Sequence, residues 1–171
     1  MTRYTRNVGD VFTVPCSKGR KFIKLESGTI PYAAYVAMNN QDICGRWFEG
    51  CEVHHVDYDF TNDVPENLVC VTPEEHRLLH SKPFIAYKND KEIGVYRNQI
   101  EAEEELGIAK RYISRYLKRG IALPEFYQDS KAYRFELVDN ARRTEIFKPM
   151  IEQIRNGKYH DRRQSEVPRT A

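Results

Sequence analysis

The chain has 171 residues, enough for one domain with a real core or for two small modules joined by a short linker. Its 40% hydrophobic content is ordinary for a folded chain, and 30% charged with 12% aromatic residues suits a surface that meets a polar, polymeric partner. No apolar run approaches the roughly 18 residues of a membrane span, which excludes a helical membrane protein. The net charge of +2 says little, but its distribution says more. Residues 108–163 hold 14 Lys and Arg against 7 Asp and Glu, a net of +7, and the remainder carries −5. A basic C-terminal third fits a phosphate backbone, and equally a solvated face, so it needs support from the motifs.

The first stretch is basic but leads into no apolar run, so no secretory signal is expected. Short β-type runs at 11–14 and 22–25 flank the turn-prone Ser17-Lys18-Gly19-Arg20. Pro31 opens a helical stretch over 32–38, which Asn39-Asn40 ends. A loop through Gly45 and Gly50 leads to a strand over 51–55, then a polar loop over 57–66 and a second strand over 67–71. Thr72-Pro73-Glu74-Glu75 is a helix start: Thr at the N-cap, Pro at the first position, and Glu three residues after the cap. The four cysteines (Cys16, Cys44, Cys51, Cys70) contain no C-x-x-C pair. Without a signal they read as free thiols in a reducing compartment, and a zinc site on Cys44, Cys51 or Cys70 has little support.

After Pro83 the pattern changes. Runs at 84–87 and 93–96 flank Asn89-Asp90 as a hairpin. Two short helices follow, over 99–106 and 110–118, joined through Gly107, and a strand-like run at 132–137 closes the module. From Asn140 the chain is basic, helical to about Ile154 and then polar.

The chemistry concentrates in residues 51–80, where four of the five histidines fall. Neighbours His54 and His55 on a strand point to opposite faces, so they cannot share one task. His76 and His80 stand four apart on one helix face and can reach a single ion. With the helix packed on the strands, His54 joins them as a third ligand. His55 is left as a base whose ordinary pKa lies near neutrality.

Val53-His54-His55-Val56-Asp57, then Asn67-Leu68-Val69-Cys70-Val71-Thr72, then His76 and His80, resembles the HNH nuclease family. The signature residues would be His55, Asn67 and His76. The spacing from Asn67 to His76, with His80 one turn later and an acidic residue at Glu52, is similar to the metal site of the nuclease colicins. The surrounding loop looks more like phage and intron-borne HNH homing endonucleases. The resemblance implies a ββα-metal (His-Me finger) core and a metal-dependent DNA endonuclease that leaves 5′-phosphate and 3′-hydroxyl ends. In it His55 is the general base, Asn67 the residue that pins the loop so that His55 is aimed, and His54, His76 and His80 hold one divalent ion. Glu52 and Asp57 are supporting carboxylates or plain turn residues. Many homing relatives carry Asp before the base and Asn as the last ligand. Three imidazoles instead suit Zn²⁺, Ni²⁺, Co²⁺ or Mn²⁺ better than Mg²⁺, although an oxygen from Asp57 would keep Mg²⁺ in play. A structural Cys/His zinc knuckle is the competing account of the cluster, and it leaves His55 unexplained.

Behind that core, Ala102, Leu106, Ile113 and Leu117 form an inward apolar set, while Arg111, Ser114, Arg115 and Lys118 fall on one face of the second helix. The two helices and the run at 132–135 resemble the small helix-turn-helix module found behind homing endonuclease catalytic domains. The expectation is an α+β protein: an N-terminal β region and catalytic domain over 1–82 with its core at 51–80, a hairpin and helix-turn-helix DNA-binding module over 83–138, and a basic tail over 139–171. Its partner is DNA, with no membrane and no obligate protein partner, in the cytoplasm of a bacterial or phage-infected cell. The favoured function is a free-standing homing enzyme. A weakly specific phage or defence nuclease, or a non-catalytic zinc-stabilised DNA-binding regulator, are the rivals.

Overall fold

Three small antiparallel sheets organise the chain in a computed structural model that describes residues 6–127 and 129–157. The backbone divides into two units, one built from residues up to Leu79 and again from Phe147 onward, the other from His80 to Ile146. Among the described residues no helix is long and apolar enough to cross a membrane.

In the first unit, β1 (Val11–Thr13), β2 (Lys21–Leu25) and β3 (Gly28–Pro31) pair antiparallel in chain order. The two early runs were legible, and β3, short and bounded by Gly and Pro, was not. Phe12 lies opposite Phe22 with the rings stacked at 6.2 Å. Directly after Pro31 comes α1 (Tyr32–Asn39), whose Ala33, Val36 and Ala37 are buried at the i, i+3, i+4 spacing of one helix face. One unforeseen helical turn follows, α2 (Gln41–Cys44).

The next three elements form the ββα core. Antiparallel β4 (Glu52–His55) and β5 (Leu68–Val71) pair residue for residue, His54 opposite Val69 and His55 opposite Leu68. The helix α3 (Pro73–Leu79) starts on a reciprocal cap: Thr72 N–H donates to Glu75 Oε2 at 2.7 Å, and Glu75 N–H donates to Thr72 Oγ1 at 3.2 Å.

All four residues of β5 are buried, because both its faces are covered. Leu68 and Cys70 pack with Ala33, Val36, Ala37 and Cys44. Val69 and Val71 pack with Leu79 and with Phe147, Met150, Ile151 and Ile154 of the last helix, α6 (Asn140–Arg155). Those four residues fall at i, i+3, i+4 and i+7, a stripe that the surrounding charge obscures in the sequence. Arg155 then donates from Nη2 to the carbonyls of Glu66 (2.6 Å) and Leu68 (3.0 Å), on either side of Asn67. Residues expected to form a basic tail therefore include, through Arg155, part of the first unit's core; those from 158 lie outside the described residues.

In the second unit, β6 (Phe84–Lys88) pairs with β7 (Lys91–Tyr96) on one side and β8 (Tyr133–Leu137) on the other. The hairpin turns through Asn89 and Asp90, both left-handed at φ 52° and 60°, which these residue types tolerate best after glycine. Helices α4 (Gln99–Leu106) and α5 (Lys110–Arg119) are joined through Gly107, whose φ of 66° ends the first of them. Ala102, Ile108 and Ile113 pack with Phe84, Ala86, Tyr96 and Phe135, while Leu106 and Leu117 are half-buried beside them.

Phe147 is wholly buried against β5, so Phe147→Ala should cost the first unit about 3–5 kcal/mol. Chemical denaturation followed by hydrogen exchange on the β5 amides checks this. A loss under about 1 kcal/mol would mean the returning helix is not part of that core.

Candidate metal centre and active site

The register of β4 divides the two adjacent histidines. His54 stands opposite Val69 on the face that α3 covers, and is 1% exposed. His55 stands opposite Leu68 and turns the other way. His76 is on α3 and His80 follows one residue past its end, so the four-residue spacing brings both to the same side. One ligand nitrogen from each of His54, His76 and His80 lies within 4.8 Å of the other two. The rings of His54 and His76 meet edge-on at 5.4 Å, and Tyr58 braces His54 from another side at 5.2 Å while its hydroxyl donates to the Leu79 carbonyl.

This donor set fits a divalent ion of intermediate softness: three imidazoles, one buried, and no cysteine among them. Glu52 contacts His76 at Nδ1. A carboxylate there accepts the Nδ1 proton and leaves Nε2 to face an ion, the support that ligating imidazoles usually carry. The cysteines are free and contribute nothing comparable. Burial pushes the Cys70 thiol up to about 12, and Cys44 is raised as well, chiefly by burial, so neither favours the thiolate that binds zinc.

Asn67 sits at the end of a single helical turn, Pro65–Asn67, and is itself buried. Its Oδ1 accepts from Asp57 N–H (3.0 Å), and its Nδ2 donates to Asp57 Oδ1 (2.9 Å) and to the Asn62 carbonyl (2.8 Å). Val56 N–H donates to the Asn67 carbonyl at 2.8 Å. The residue thus ties both ends of the inter-strand loop together immediately after His55. Asp57 is engaged in the same loop: it also accepts from Asp59 N–H and from Asn62 Nδ2. Partial burial works to raise its pKa, but the hydrogen bonds from Asn62, the Asp59 backbone and Asn67 outweigh that and hold it below the usual range. The structure therefore places Asp57 in the loop's hydrogen bonding and Glu52 beside the imidazole cluster.

One residue was not singled out from the sequence. Asp63 is buried, and its Oδ1 lies 3.0 Å from His55 Nε2. Its Oδ2 lies 3.5 Å from Lys21 Nζ, which also donates to the Thr61 carbonyl at 2.9 Å. Nothing in the local sequence marks it, since Asp57, Asp59 and Asp63 look alike in a polar loop.

In the second unit, Arg111, Arg115 and Lys118 are exposed along α5 and Ser114 is half-buried between them. Arg111 lies over the Tyr112 ring at 4.7 Å and donates to its hydroxyl. On the acidic α4, Glu101 pairs with Arg97 and Glu105 accepts from the Tyr96 hydroxyl.

Residues 43–78 match a protein family described as HNH endonuclease, a stretch that includes His54, His55, Asn67 and His76. No curated protein sequence matches the chain significantly. Among solved structures the chain is similar to one titled "DNA binding and cleavage by the HNH homing endonuclease I-HmuI", at 22% identity over 75% of this chain and 82% of that one. The TM-score is 0.33, too low for that likeness to decide anything about this chain. The family match and the observed elements agree on one point: residues 43–78 form an HNH endonuclease-type ββα core.

Proposed function

We propose that this protein is a metal-dependent endonuclease that hydrolyses DNA phosphodiester bonds, and that it acts as a free-standing homing-type enzyme. The observation that carries the reading is the division of labour on β4: three imidazoles gathered on one face, and His55 alone on the other. A structural zinc knuckle would need the first feature and has no use for the second.

In this reading His55 takes a proton from the attacking water, and Asn67 holds the loop so that the imidazole stays aimed. His54, His76 and His80 hold one divalent ion, with Zn²⁺, Ni²⁺, Co²⁺ or Mn²⁺ favoured by the all-nitrogen donor set. Such an ion, when bound, supplies positive charge against the charge that develops on the phosphate. Glu52 orients His76.

The second unit supplies DNA contacts in this proposal. The exposed cations of α5 are spaced to lie along phosphates, with Ser114 between them, while acidic α4 faces away. The fold of that unit, two helices joined at Gly107 on a three-stranded sheet, supports a helix-turn-helix role for α5.

His55→Ala should reduce nicking of duplex DNA by at least about 100-fold while leaving zinc affinity and DNA affinity near wild type. Gel assays across a panel of divalent ions, with calorimetry for the metal, check this. A wild-type protein that never nicks DNA with any ion would instead favour the zinc-stabilised regulator. Replacing Arg111, Arg115 and Lys118 together with Ala should weaken DNA binding across sequences. It should also lower the slope of log affinity against log salt by about 1 for each phosphate that is no longer neutralised. An unchanged slope in a fluorescence-anisotropy titration would remove α5 from the interface.

A further inference from the structure

We infer that Asp63, steadied by Lys21, determines which ring nitrogen of His55 carries the proton, and is thereby a positioning residue for the proton transfer. The assignment rests on the nuclease reading only for its consequence; the geometry stands without it.

The Asp63 side chain is 4% exposed, so water does not compete for it. Its Oδ1 stands 3.0 Å from His55 Nε2, a hydrogen-bond distance. A carboxylate only accepts. The contact is therefore bonding when the proton is on Nε2, and sets lone pair against lone pair when it is on Nδ1. Uncompensated polar contacts in a buried place are costly, so Asp63 selects the Nε2–H tautomer and leaves Nδ1 with the free lone pair. The nitrogen that can accept a proton from water is then Nδ1.

Two anchors keep the carboxylate in place. Lys21 Nζ faces Oδ2 at 3.5 Å and is itself fixed on the Thr61 carbonyl at 2.9 Å. On the other side, Asn62 is held through its carbonyl by Asn67 and through its amide by Asp57. Asn67 thus acts on His55 at one remove, through the loop from which Asp63 projects. Lys21 belongs to β2, so the N-terminal sheet, on which the motifs are silent, contributes to the site.

A purely structural ion pair would tie the sheet to the loop and leave the His55 tautomer indifferent. Asp63→Asn separates the two. Lys21 is only a donor and draws the amide oxygen of the new side chain, which turns the amide nitrogen toward His55 Nε2 as a donor. The proton must then sit on Nδ1. In the double variant with Lys21→Met the amide is released and can turn its oxygen back to the ring.

The test is long-range ¹H–¹⁵N correlation of the histidine rings in zinc-loaded protein, with His55 identified by its absence in His55→Gln, beside single-turnover nicking. Wild type should show the proton on Nε2. Asp63→Asn should move it to Nδ1 and slow nicking by about 10²–10⁴-fold at unchanged zinc affinity, and the double variant should return the Nε2 tautomer and part of the rate. A wild-type His55 protonated on Nδ1 would overturn the assignment, as would an Asp63→Asn protein with the wild-type tautomer or rate. If no form nicks DNA, the nuclease reading fails separately, and the ring spectra alone decide on Asp63.

Discussion

Everything at the candidate site depends on one pairing, the antiparallel register of β4 against a β5 that is buried on both faces. Because successive strand residues point to opposite sides, fixing β5 between two apolar layers fixes the direction of each β4 side chain. His54 must face α3, and His55 must face the loop. A slip of one residue would exchange them, taking His54 away from His76 and His80 and placing it beside Asp63. The two apolar layers, one from α1 and α2 and one from α6, therefore do more than stabilise the unit. They hold the register on which the proposed chemistry rests.

That dependence explains why the last helix returns to the first unit. Met150 and Ile154 cover Val69 and Val71, and Arg155 grips the carbonyls on either side of Asn67. The strand that orients the histidines and the residue that pins their loop are both held by the same helix. Gly45 adds a tight approach, since a side chain there would meet the Arg155 backbone at 3.3 Å. The ββα segment is short, and its burial is completed from distant parts of the chain.

Much of this was legible in the sequence where a local rule applied. The Thr72–Glu75 cap, the Asn89-Asp90 turn and the Gly107 helix stop each follow from the chemistry of one or two residues, and each stands as expected. The alternation of His54 and His55, and the grouping of His54 with His76 and His80, follow from strand and helix periods alone. What escaped was non-local or too short to show a period. The four-residue α2 and the Gly- and Pro-bounded β3 carry no repeat. The stripe from Phe147 to Ile154 was present but set among lysines and arginines that read as a basic end. Asp63 gains its place only because the loop folds it against His55 and β2 brings Lys21 to it, neither of which sequence spacing encodes.

Whether His55 and one divalent ion at this site hydrolyse DNA is read from the ends of the cut strands. Purified protein would be stripped of metal, reloaded with a single divalent ion, and incubated with end-labelled duplex DNA, with and without chelator. Cuts should appear only in the metal-loaded sample, each leaving a 5′-phosphate and a 3′-hydroxyl. Undiminished cutting in chelator, or ends carrying a 3′-phosphate, would rule this chemistry out.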